Sequence, residues 1–197
     1  MRVALIGGTS NVGKSTTAAA LAARLGWDCR STDKLARHPG RPWMFAPAPV
    51  PDHVAEHYLT LTPDELIASV LAHYRNMRPM LRELIAAHAT DPARSPLVLE
   101  GSALWPEFVA ELDIPGVRAV WLTADHALIE ARIRRDSDIG SLPPRERRTT
   151  ENFMVRTRLY DDAMMAAVQR LGLPFIRVTD GAGVGDVVDA CLRVLER

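Results

Sequence analysis

The stretch GGTSNVGKST, residues 7–16, limits the possible folds more than any other part of the chain. Gly8, four residues, then Gly13, Lys14 and Ser15 fit the spacing GxxxxGK[ST]. Before it, RVALI (2–6) is a short, partly β-branched apolar run that stops at two glycines, the pattern of a buried parallel strand. After it, KSTTAAALAARL (14–25) is rich in alanine, spaces its apolar residues as a helix does, and is followed by Gly26 as a C-cap. A strand, a tight loop and a helix start, in that order, aim backbone N–H groups and the positive end of the helix dipole at one spot. Such a nest holds a polyphosphate. Gly8, Thr9, Ser10, Asn11, Val12, Gly13, Lys14, Ser15 and Thr16 are therefore expected to bind nucleotide phosphates. Lys14 supplies a point charge toward the β and γ phosphates, and Ser15 a ligand for Mg²⁺. A glycine turn with an incidental lysine is the competing account. Of 24 basic residues, however, only Lys14 and Lys34 are lysine. A compact ammonium kept in a chain that otherwise uses arginine is expected where a planar guanidinium does not fit.

The rest of the chain alternates strands and helices. WDCRSTD (27–33) reads as a weak second strand ending at Asp33. Five prolines between 39 and 51 then preclude a regular element, and so long a loop in a compact domain is usually functional. Thr62, Pro63 and Glu65 supply an N-cap, a first helical position and a capping-box partner for one or two helices reaching about His88. SPLVLEG (95–101) and VRAVWLT (117–123) read as the third and fourth strands, and Thr123 as the cap of a helix to about Arg135. The polar, proline-broken segment 136–150 has the character of a mobile excursion, here taken as a lid. A helix over about 150–171, the strand PFIRV (174–178) and a last helix from about Gly183 complete the order. Five strands alternating with helices imply an α/β fold of three layers, a parallel sheet covered on both faces, in a single domain over 1–197 with an acceptor-side insertion over about 34–90.

In open parallel sheets, ligands lie outside the carboxyl ends of the strands. Asp33 and Glu100 fall at such ends, where a carboxylate can orient a hydroxyl, accept its proton, or hold a metal through water. A helix cap at Asp33 and a buried structural carboxylate at Glu100 are the alternatives. Eight arginines lie between 132 and 158. Arg132 and Arg135, one helical turn apart, are the chosen candidates to neutralise charge on a transferring phosphoryl group. On the acceptor side Arg37, Arg78 and Gly101 join Asp33 and Glu100 as candidate contacts. Trp43, Phe45 and Trp105 either stack on a ligand ring or cover the core. His53, His57, His73 and His88 form no metal constellation by spacing.

Equal numbers of basic and acidic residues, 24 each, give no global field for nucleic acid or an anionic membrane, so the expected partner is a small-molecule acceptor. Cys29 and Cys191 match no metal or redox spacing, and MRVALIGG is too short for a secretory apolar region. A reduced, cytoplasmic protein, monomer or homodimer, is expected.

Through LIGGTSNVGKST, Asp33 in STDKLARHPGRPW, LVLEGSALWP and ARIRRD, the chain resembles the small P-loop kinases of the nucleoside monophosphate kinase-like group. It is also similar to proteins described as 2-phosphoglycerate kinases or antibiotic phosphotransferases. The resemblance implies the P-loop NTPase fold, a five-stranded parallel sheet in order 2-3-1-4-5, a lid after the fourth strand, and ATP with Mg²⁺ as donor. By the same resemblance Asp33 binds or activates the acceptor, Arg132 contacts ATP from the base of the lid, and residues 179–183 lie against adenine. The spacing RIRR and the proline-rich segment 39–51 depart from the pattern and leave the acceptor open. A GTPase would need a guanine-reading NKxD, and neither lysine follows an asparagine. An ATP-binding regulatory module, or an NTPase without a small-molecule acceptor, is the alternative to transfer.

Overall fold

The computed structural model describes residues 1–36, 38–45 and 48–196. Five parallel strands, β1 (Val3–Gly8), β2 (Asp28–Ser31), β3 (Leu97–Glu100), β4 (Val117–Ala124) and β5 (Phe175–Val178), form one sheet in the order β2-β3-β1-β4-β5. Seven helices accompany them among the described residues: α1 (Lys14–Leu25), α2 (Asp52–Thr60), α3 (Pro63–Thr90), α4 (Pro106–Ala110), α5 (His126–Ser137), α6 (Pro144–Arg170) and α7 (Val184–Leu195). The architecture is the expected three-layer P-loop fold. No described helix is long and apolar enough to cross a membrane.

The alternation of side chains along the central strand divides the core between the two faces of the sheet. Ala4 and Ile6 of β1 join Ala18 and Leu21 of α1 and Val187 and Val188 of α7, whereas Val3 and Leu5 join Leu81 and Ile85 of α3 and Phe108 of α4. Trp121 of β4 seeds a third cluster with Tyr160, Met164 and Val168 of α6, and its indole N–H donates to the Leu104 carbonyl at 3.1 Å. The capping box of α3 forms as expected: Thr62 accepts from the Glu65 N–H while the Glu65 carboxylate accepts from the Thr62 N–H.

Several boundaries differ from the sequence reading. β2 ends at Ser31, and Asp33 sits in a 3-10 turn, Thr32–Lys34, just beyond it. The helix α2 was concealed by the prolines before it; its apolar face is only Val54, Ala55 and Tyr58. The helix α3 is continuous through Pro79, and the five-residue α4 was not foreseen. Thr123 does not cap α5: it belongs to β4 and its hydroxyl donates to Asp161 at 3.1 Å, leaving Asp125 at the cap position. The helix α6 begins at Pro144 rather than about 150, because proline is well tolerated at a first helical position where its missing N–H has no partner to lose. Of the segment 136–150, residues 138–143 join α5 to α6.

Candidate active site

The phosphate loop closes the end of β1. Asn11 (φ 59°) and Gly13 (φ 105°) adopt left-handed backbone angles, which turn successive N–H groups to one side. Gly13 is the cap residue of α1, no side chain caps the helix, and its first turn holds no acidic residue. The N-terminal N–H groups are thus left for an anion. Lys14 is buried, and its ammonium spans the loop to donate to the Thr9 carbonyl at 2.6 Å. Burial lowers its pKa, and the Glu100 and then the Asp33 carboxylate oppose that shift.

The Ser15 hydroxyl donates to Glu100 Oε1 at 3.0 Å, while Glu100 Oε2 is buried and has no partner. Glu100 is only 2% exposed. A hydroxyl and a carboxylate with a spare buried oxygen form the hard-oxygen donor pair that suits Mg²⁺, so the residues present fit that ion. Asp33 is exposed and its N–H donates to the Ser31 hydroxyl at 3.3 Å. Gly101 links the two acid-bearing strand ends: a Cβ there would fall 1.8 Å from the Thr32 hydroxyl oxygen. Only glycine lets the turn holding Asp33 rest against the end of β3.

A groove of about 360 Å³ runs outward from the loop. Residues 11–17, Arg41, Arg132, Arg135 and Asp136 line its polar part, and Val178, Ala182, Val184 and Val187 its apolar part. Arg132 donates to the Val12 carbonyl at 3.2 Å and the Asn11 carbonyl at 3.4 Å, and Asn11 donates to Asp136 at 2.8 Å, so α5 clasps the loop. Arg135 is largely exposed and paired with Asp136 at 2.8 Å. Thr16 is exposed beside Ser15, Ser10 is half-buried, and Thr9 is turned inward, its hydroxyl donating to the Thr157 carbonyl at 3.2 Å. Gly8, at the end of β1, accepts from the Ser102 hydroxyl through its carbonyl at 3.0 Å.

The acceptor-side candidates scatter more. Arg78 lies over the Phe108 ring, 5.7 Å from its centroid, and Arg37 lies outside the described residues. Trp43 and Trp105 cover the core, in edge contact with Phe153 (5.1 Å) and Tyr160 (5.4 Å). No cluster of three or more metal-type ligands occurs among the described residues. Three residues carry more weight than the sequence reading gave them. Arg41 reaches the groove and adds to the depression of the Lys14 pKa. Asp161 is 3% exposed, and burial raises its pKa to about 6 despite the Thr123 hydroxyl. Arg156, one of eight arginines in its region, is buried at 7% exposure. Its period on α6, with Phe153, Thr157 and Tyr160, was the available signal.

A second cavity, of about 310 Å³, opens between α5 and α6 and is lined by none of the phosphate-loop residues.

No family model and no curated protein matches the chain. Solved structures do. A gluconokinase from Sinorhizobium meliloti 1021 matches with 18% identity over 99% of this chain and 91% of its own, at a TM-score of 0.54. The shikimate kinase of Aquifex aeolicus matches with 13% identity over 98% and 96%, at 0.55. The thymidylate kinase of Candida albicans matches with 12% identity over 99% and 91%, at 0.51. At such identities the likeness is one of fold: the chain shares with these structures the parallel P-loop architecture over essentially its whole length.

Proposed function

We propose that this protein transfers the γ-phosphoryl group of ATP to a hydroxyl of a small molecule. The observation that carries the reading is the convergence of a buried lysine, an uncapped helix start and two carboxylates, Glu100 and Asp33, from neighbouring strand ends. Structures of like fold that bear the names gluconokinase, shikimate kinase and thymidylate kinase support a phosphotransferase.

In this reading the N–H groups of residues 11–15 hold the β and γ phosphates, and the apolar wall after β5 receives the base. Ser15 and Glu100 would hold Mg²⁺, which when bound neutralises charge on the phosphate oxygens. The Lys14 ammonium lies ready to neutralise charge that develops on the γ-phosphoryl group. Asp33 orients the acceptor hydroxyl and takes its proton as the oxygen–phosphorus bond forms and the bond to the ADP oxygen breaks. Arg132 keeps the loop in shape, and Arg135 and Arg41 stand at the rim to meet the outgoing charge.

The test is ADP release from Mg·ATP, scanned over nucleosides, nucleotides, phosphorylated glycerates, sugars and hydroxylated antibiotics, with Lys14→Ala as blank. Strong stimulation by one class is the expected result. ATP binding with no stimulation by any class moves the protein to an ATP-binding regulatory module. Asp33→Asn should remove transfer by at least about 100-fold while the affinity for ATP changes less than about threefold. A collapse of ATP affinity instead would move Asp33 into the metal site.

A further inference from the structure

Among the described residues, Arg156 is a cation without a counter-charge. It lies on the buried face of α6, its guanidinium carbon 4.6 Å from the centroid of the Phe153 ring and 6.0 Å from that of Tyr58. Among the described residues it forms no ion pair, and its buried Nε has no hydrogen-bond partner. Burying a charge is costly unless it is paired and hydrogen-bonded, and aromatic faces offset only part of that cost. A partner from outside the chain would complete the site.

The surroundings are built for such a partner. His38, from the segment before α2, lies 5.3 Å from His57 of α2 and 4.8 Å from His73 of α3, ring centroid to ring centroid. The Nε2 atoms of His38 and His57 are both buried without a partner. His38 Nδ1 lies 2.9 Å from the Pro39 carbonyl, which can only accept, so Nδ1 carries the proton and Nε2 presents a lone pair while the ring is neutral. Burial and then the Arg156 charge hold the His38 pKa down to about 4, and the same two causes lower that of His57. An anion placed between these rings and Arg156 would raise both histidines and turn their free nitrogens into donors.

The cluster borders the candidate active site. His73 lies 5.9 Å from Tyr74, and Tyr74 lies 6.2 Å from Tyr160, ring centroid to ring centroid. Tyr160 in turn donates to the Ser102 carbonyl at 2.6 Å, and the Ser102 hydroxyl reaches the Gly8 carbonyl of the phosphate loop. We propose that Arg156, with His38 and His57, binds an anionic group of the phosphoryl acceptor, a phosphate or a carboxylate, and so selects hydroxy acids or phosphorylated hydroxyl compounds over uncharged acceptors. The assignment to an acceptor rests on the transfer reading above; the anion site does not. An anion held at Arg156 leaves the opposite end of a small acceptor to present its hydroxyl toward Asp33.

Two measurements separate these statements. In the first, Mg·ADP fills the phosphate loop, and the histidine ring signals are followed by NMR while inorganic phosphate, and separately acetate, is titrated in at constant ionic strength. The His38 and His57 signals should move saturably, the stronger of the two anions naming the class, and Arg156→Lys, which keeps the charge but loses the planar fork, should weaken the response at least about tenfold. Unmoved signals in the wild-type protein, or an unchanged response in Arg156→Lys, overturn the site whatever the protein catalyses. In the second, ADP release is compared within matched pairs: gluconate and glucose, 2-phosphoglycerate and glycerol, a nucleoside monophosphate and its nucleoside. The charged member of the productive pair should exceed its neutral partner by at least about 100-fold in kcat/KM, and Arg156→Lys should shrink that ratio at least about tenfold. A neutral member turned over as well as its charged partner overturns the selection while the transfer reading stands. No turnover by any pair, beside a clear histidine response, overturns the assignment to an acceptor and leaves an anion site.

Discussion

The phosphate loop and the Arg156 cluster are opposite solutions to holding charge inside a protein. In the loop the polar groups are largely partnered within the chain: Lys14 with the Thr9 carbonyl, Ser15 with Glu100, Arg132 with two loop carbonyls, and Asn11 with Asp136. Around Arg156 partners are missing among the described residues: its own Nε and the Nε2 atoms of His38 and His57 are buried and unmatched. The first region is shaped before any ligand arrives, and its ligand displaces little. The second is incomplete until something binds, so its affinity comes from relieving a cost already present in the empty protein. Generality belongs to the first region and selectivity to the second.

Substitutions can break or sharpen that contrast. The largest effect is expected at Lys14: Lys14→Ala should lower acceptor-dependent turnover about a thousandfold. The melting temperature should stay close to that of the wild type, because the loop backbone is held by other bonds. A variant that unfolds would mean that the ammonium organises the loop, and the contrast would fail. Next is Gly101→Ala. Its φ of 149° and the 1.8 Å approach of a Cβ to Thr32 should cost about 3 kcal/mol in thermal or denaturant unfolding. A neutral result would free Asp33 from the strand ends that hold it.

The smallest effects are in acid titration, where two buried groups, Asp161 of α6 and His38 of the Arg156 cluster, have opposite signs. The pKa of Asp161 is raised from 3.8 to about 6, so its contribution to stability is full below pH 3.8 and lost as pH rises through about 6. That of His38 is lowered from 6.5 to about 4, so its contribution is full above pH 6.5 and lost as pH falls through about 4. Relative to wild type, Asp161→Asn should therefore gain stability between pH 4 and 6 as pH rises, by up to about 2–3 kcal/mol. His38→Gln should gain as pH falls over the same range. Denaturant midpoints across that range check both signs, and parallel profiles would remove the distinction.

The same contrast governs how much the sequence disclosed. The phosphate loop is written in consecutive residues, since its chemistry is a property of local backbone: two glycines, a lysine and a hydroxyl between a strand and a helix. The layers follow from that start and from the alternation of apolar runs, whereas the sheet order came from the resemblance to small P-loop kinases. Asp33 and Glu100 were legible because parallel sheets expose strand ends, although β2 stops before Asp33. Arg156 was hidden among eight arginines, and only its helical period with Phe153, Thr157 and Tyr160 separates it from a solvated guanidinium. His38 and His57 were hidden too, since their meeting requires the fold of a proline-rich segment over a helix that the prolines themselves obscured.

One element carries contacts to both regions. From the same face of α6, Phe153 and Arg156 reach the aromatic cluster, the Thr157 carbonyl receives the Thr9 hydroxyl, Tyr160 binds the turn after β3, and Asp161 binds β4. Helical pitch fixes the spacing of all five, at about 100° and 1.5 Å per residue. A single residue inserted or deleted between Thr150 and Phe153 would swing the whole set by that angle and disconnect every one of them together. The connection 138–143 is bound by no such phase. Descendants of this chain can thus vary the length of that joint freely, while the reading frame of α6 is inherited whole.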